Sequence, residues 1–74
     1  MTKLPTDIKP KSAAKALEKL GFGKSKDKGS HVRFRHHDGR WTQIPMHSKP
    51  IPKGTLRKIL RDADIPLEDF LNQL

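Results

Sequence analysis

An α+β domain, with a three-stranded antiparallel sheet packed against helices, is what the order of patterns along these 74 residues predicts. Three observations carry it. Ala13, Ala16, Leu17 and Leu20 repeat at helical spacing near the start, and Leu56, Ile59, Leu60 and Ala63 do so near the end. Between them, two segments of alternating character flank Asp38-Gly39, a strong hairpin signal. Helix, strands and then helices suit a sheet covered on one face.

Residues 1 to 8 read as a flexible lead-in and residues 9 to 74 as a single domain. Pro10 fits the first turn of a helix, where its missing N–H costs nothing, and Gly21 fits the stop. The opposite face of that helix carries Lys11, Lys15, Glu18 and Lys19, which suits solvent first and RNA second. A short strand, Phe22 to Lys26, precedes a turn at Asp27-Lys28-Gly29. The next strands are Ser30 to His36 and Trp41 to His47. A three-residue loop, Asp38-Gly39-Arg40, would pair Phe34 with Ile44 and Val32 with Met46, giving one apolar face. It would also set His31 opposite His47 and Arg35 opposite Gln43. Pro45 lacks a ladder donor, so the third strand is expected at an edge and the sheet order to follow the chain. The loop Ser48 to Lys53 leads into a helix beginning between Pro52 and Thr55, with Lys53, Arg57, Lys58 and Arg61 outside. Pro66 opens a last short helix with Leu67, Phe70, Leu71 and Leu74 inward and Glu68 and Asp69 in its first turn.

Composition narrows the possibilities. A domain of this size buries only roughly 60% of its unfolded surface, so a deep enclosed pocket is not expected. The absence of cysteine removes disulfides and thiolate ligands, and a cytoplasmic location is the simplest reading. No segment approaches a membrane span. Sixteen Lys and Arg stand against eight Asp and Glu, a formal charge of +8. Fifteen of the cations lie between Lys9 and Arg61, whereas Asp62, Asp64, Glu68 and Asp69 follow together. Such segregation points to a polyanion partner, nucleic acid before others.

Chemistry centres on Gly29-Ser30-His31 and the strand Val32-Arg33-Phe34-Arg35. Alternation sends Val32 and Phe34 inward and keeps His31, Arg33 and Arg35 together outside. An imidazole exchanges protons near neutrality, and the Lys28-Gly29-Ser30 turn can offer backbone amides to an anion. His31 is therefore the candidate for proton transfer in RNA cleavage, with Lys28, Arg33 and Arg35 on the phosphate. His47 is a possible second acid–base group and equally a rim residue. Trp41, on the outer parity, can stack a base, cover the hairpin end or form part of a protein interface. His31, His36, His37 and His47 lack metal-ligand spacing, so no metal is expected, and no phosphate loop, carboxylate pair or activated serine indicates another cofactor.

Taken together, these segments resemble the HicA toxin family. The resemblance rests on Lys28-Gly29-Ser30-His31, Arg33-Phe34-Arg35-His36, Asp38-Gly39-Arg40, Ile44-Pro45-Met46-His47 and the run from Gly54 to Arg61, and spans Pro10 to Phe70. It implies a double-stranded-RNA-binding-like α-β-β-β-α fold. It also implies metal-independent mRNA cleavage through the histidine matching His31, which halts translation, and a HicB antitoxin covering the site. Many family members carry a second histidine where this chain has Val32, which takes away one RNA contact. Many also carry a glycine where it has Asp64, a residue less tolerant of the left-handed conformation. Two other readings fit the same residues: a non-catalytic RNA-binding module, and a basic docking face for an acidic protein.

Overall fold

The structure, a computed structural model, describes residues 4–74 apart from the side chains of residues 26–28. The elements are α1 (Pro10–Lys19), β1 (Phe22–Lys28), β2 (His31–His36), β3 (Trp41–Pro45), α2 (Lys53–Asp62) and α3 (Leu67–Asn72). The sheet is antiparallel with order β1-β2-β3, as the edge position of Pro45 requires. Among the described residues no helix is long and apolar enough to cross a membrane.

Pro10 occupies the first turn of α1, and Gly21 ends the helix with φ +96°. A side chain at Gly21 would also come within 2.8 Å of His36 Nε2, so glycine is required there on two counts. The helix buries Ala13, Ala16 and Leu17, and α2 buries Leu56, Ile59 and Leu60. Phe22, Val32, Phe34 and Ile44 of the sheet meet them, with Ile51 and Phe70 closing the cluster. The lead-in is irregular from Leu4 to Lys9 yet docked. Ile8 is buried and its carbonyl accepts the Ile51 N–H at 2.8 Å. In α3, Phe70 is buried, but Leu74 lies half exposed beyond the helix end and not on an inward stripe.

The β2–β3 register differs from the expectation by two residues. His31 faces Pro45, Val32 faces Ile44, Phe34 faces Thr42 and Arg35 faces Trp41. The loop does hold three residues, but they are His37-Asp38-Gly39 and not Asp38-Gly39-Arg40. Gly39 N–H bonds the His36 carbonyl at 3.0 Å, His36 N–H bonds the Arg40 carbonyl at 2.8 Å, and Gly39 has φ +100°. That is a tight turn followed by a left-handed glycine, a geometry glycine alone adopts without cost. A two-residue slip preserves which side chains face inward, so apolar pattern cannot choose between these registers. Thr42 decides it: its buried hydroxyl donates to the Ile59 carbonyl at 3.0 Å, making a polar residue fit the core position opposite Phe34. Met46 lies past the strand end, half-buried, its N–H on the Ser30 carbonyl at 2.6 Å.

The first strand also runs further than its polar sequence suggests. β1 reaches Lys28, with a bulge between Lys24 and Lys26, and the turn is the two residues Gly29-Ser30. Gly29 takes φ +62° there. An edge strand needs backbone partners more than apolar side chains, so Lys24-Ser25-Lys26-Asp27-Lys28 pairs despite its composition.

Arg40 joins the hairpin to α2. Its Nε donates to Asp38 Oδ2 at 2.8 Å, and its Nη1 donates to the Ala63 and Asp64 carbonyls at 3.1 and 3.3 Å. Its guanidinium also lies 5.3 Å from the Phe22 ring centroid. A cation is thereby held at the negative end of the α2 dipole. That helix end is a Schellman motif, with Ile65 N–H on the Leu60 carbonyl at 2.9 Å and Asp64 N–H on the Arg61 carbonyl at 3.1 Å. Asp64 supplies the left-handed residue, with φ +54°.

Left-handed backbone costs a non-glycine residue roughly 1–2 kcal/mol, and the greater unfolded freedom of glycine offsets part of that. Asp64→Gly is therefore expected to stabilise the protein by about 0.5–1 kcal/mol, read as a rise of several degrees in the thermal midpoint. Asp38 makes a second expectation. The Arg40 backbone N–H holds its carboxyl below the ordinary carboxylate value, with the Arg40 side chain adding to the effect, against an opposing contribution from desolvation. A depressed folded pKa contributes stability above the unfolded value of about 3.9 that is lost as pH falls through the folded one. In urea melts Asp38→Asn should thus be less stable than wild type at pH 7, with the difference shrinking in acid.

Candidate nucleic-acid interface

Strand alternation places His31, Arg33 and Arg35 of β2 on the outer sheet face with Trp41 and Gln43 of β3, all exposed. The helices cover the other face, so the cations on the outer side of α1 stand on the opposite side of the molecule from this row. In the register His31 lies between Lys28 and Pro45, Arg33 between Lys26 and Gln43, and Arg35 between Gly23 and Trp41. Gly29 and Ser30 form the exposed turn immediately before His31. The expected contact from the Lys28 side chain lies outside the described residues.

The Arg33 guanidinium sits 4.4 Å from the Trp41 ring centroid. This stack fixes the indole while the ring stays 46% exposed, in a chain whose other aromatic side chains outside the histidines are buried. Arg33 is thus the orienting partner of Trp41.

His47 does not stand across from His31, because the register gives that place to Pro45. Both histidines nevertheless line one open groove of about 430 Å³ between β3 and α2. Its sheet side includes Trp41 and Gln43, and its helix side includes Thr55, Lys58 and Asp62. The helix side was not legible in the sequence, where Lys58 is one more cation on a solvated face. The Thr42–Ile59 hydrogen bond, joining β3 to α2 across 17 residues, is what brings that face beside His31 and Trp41.

His36 and His37 occupy the far end of the hairpin. His36 packs edge-on against Phe22 with centroids 5.1 Å apart, and His37 lies 4.4 Å from His36. The His36 Nδ1 accepts the Asp38 N–H at 3.2 Å and lies 3.1 Å from Asp38 Oδ1. These two histidines close the turn and do not join the groove. Among the described residues no three His, Cys, Asp or Glu side chains gather as a metal-binding group.

Residues 11–65 match the family described as the HicA toxin of bacterial toxin–antitoxin systems. The chain belongs to the HicA toxin family. It is accordingly the toxin of a toxin–antitoxin system, and an antitoxin partner is implied. No curated protein gives a match of its own. The span matched to the HicA family includes the whole sheet, the groove and the α2 Schellman end, and leaves α3 outside. Val32 is buried among the core residues, so having valine there takes no RNA contact from the outer row.

Removing the guanidinium should expose one face of the indole. Arg33→Ala is expected to shift Trp41 emission to longer wavelength and raise its quenching by a neutral quencher, with a stability loss of no more than about 1 kcal/mol. Trp41 is the chain's single tryptophan, so the signal is unambiguous.

Proposed function

We propose that this chain is an endoribonuclease that cleaves mRNA without a metal ion and is neutralised by a HicB-type antitoxin. Cleavage of this kind needs three things. A base removes the proton of a ribose 2′-hydroxyl, whose oxygen attacks the adjacent phosphorus; an acid protonates the departing 5′-oxygen; and donors stabilise the added negative charge. The products are a 2′,3′-cyclic phosphate and a free 5′-hydroxyl, with the proton count balanced and no water consumed in the step.

His31 is the residue assigned to proton transfer. Support comes from its exposure on a cationic sheet face, directly after the Gly29-Ser30 turn and in the same row as Arg33 and Arg35. The observation that carries the reading is the shared groove, which His31 lines together with a second imidazole and an indole in a chain of charge +8. His47 is the second acid–base group in this scheme, acting from the loop after β3 and not across the ladder. Arg33, Arg35 and Lys28 serve the phosphate, with the Gly29 and Ser30 turn beside them. Trp41 supplies the stacking surface for a base. A cytoplasmic site of action follows from an mRNA substrate.

A positioned general acid or base contributes typically 10²–10⁴-fold. His31→Ala is therefore expected to lose at least about 100-fold in cleavage of a labelled mRNA, with chelator present throughout, while retaining the fold by circular dichroism. An unchanged rate would remove His31 from the chemistry. Salt-dependent RNA binding without cleavage by wild type would instead identify a non-catalytic RNA-binding module.

A further inference from the structure

α2 runs antiparallel to β3, so the groove between them has two chemically different ends. Arg40 reaches the carbonyls at the C-terminal end of α2, and Thr42 bonds Ile59 one turn earlier. Asp62 is therefore level with Trp41, Lys58 with the middle of the strand, and Thr55 with Pro45, the cross-strand neighbour of His31. Lys58 and Asp62 are four residues apart on one helix, yet no salt bridge joins them among the described residues. Each charge faces the groove on its own account.

Arg33 lies over the Trp41 ring but is not part of the groove lining, whereas Trp41 is. The indole thus offers the groove a surface on the α2 side while the guanidinium holds it from the β2 side. An indole left 46% exposed next to a carboxylate suits a nucleobase, because its flat face takes the stack and Asp62 accepts from a base N–H. The same carboxylate repels phosphate from that end. The Lys58 ammonium and Thr55 hydroxyl provide donors for phosphate further along, toward His31.

We infer that the groove between β3 and α2 is a subsite for one unpaired RNA nucleotide, its base stacked on Trp41 and its phosphate held by Lys58. The inference rests on the ribonuclease reading and adds a wall of the site, α2, and the single-stranded form of the substrate. A base inside a duplex has both faces covered and cannot stack on Trp41. Pro45 is four residue steps along the strand from Trp41, about 13 Å, so the stacked nucleotide is not the one cleaved at His31 but one further along the chain.

The test uses the folded His31→Ala protein, a short labelled single-stranded oligoribonucleotide and the blunt duplex of the same sequence. Binding is followed by anisotropy of the label and stacking by Trp41 emission. The single strand should quench Trp41 and the duplex should not. Trp41→Ala should weaken single-strand binding about tenfold. Lys58→Ala should lower the slope of log affinity against log salt by about 0.7, and Lys58→Arg should restore it. RNA that binds with Trp41 emission unchanged, a duplex that quenches equally, or a Lys58→Ala slope equal to that of Lys58 would overturn the subsite and leave the ribonuclease reading standing. Wild-type protein that neither binds nor cleaves RNA would overturn both.

Discussion

The β2–β3 register is the constraint on which the rest of this structure depends. It sets Thr42 opposite Phe34, and from there the Thr42 hydroxyl reaches the Ile59 carbonyl. It also puts Arg40 at the hairpin end, where one guanidinium ties Asp38 to the last carbonyls of α2. Both bonds hold α2 along the β3 edge, and without α2 there the groove has one wall. Turn chemistry fixes the register: Gly39 takes the left-handed position, and Asp38 accepts from the Arg40 backbone N–H at 3.0 Å through its other oxygen.

Membership in the HicA family rests on a span of sequence that includes His31, Trp41 and α2. The sheet gathers several of these side chains, since alternation alone sets His31, Arg33 and Arg35 on one face and β3 adds Trp41 and Gln43. Charge is divided between the two sides of the molecule. Lys19 on α1 bonds the Gln73 carbonyl at 3.2 Å and so pins the C-terminal helix, far from the groove. Not every cation of a basic protein faces its polyanion.

Much of the fold was legible because its signals are local. Pro10, Gly21 and Pro66 mark helix ends, and the Leu56, Ile59, Leu60 stripe is buried as its spacing requires. The outer row was legible too, since a strand's faces follow from parity. What was not legible depends on contacts far apart in sequence. A slip of two keeps every face intact, and beyond the turn itself it is the bond from Thr42 to Ile59 and the reach of Arg40 that distinguish the true pairing. The role of Thr55, Lys58 and Asp62 as a groove wall was hidden for the same reason. β1 was shortened because polar composition conceals an edge strand whose stability comes from its ladder.

Pro45 carries a consequence for the company this edge can keep. Arg40 and Met46 bond β2 through the even-numbered positions of β3, so the backbone at Trp41, Gln43 and Pro45 points away from the sheet. Proline has no amide hydrogen, which leaves two outward donors in a five-residue strand. A strand from another molecule finds fewer donors there than along a regular edge. An edge short of donors gives side chains a larger share than backbone in recognising whatever lies against β3.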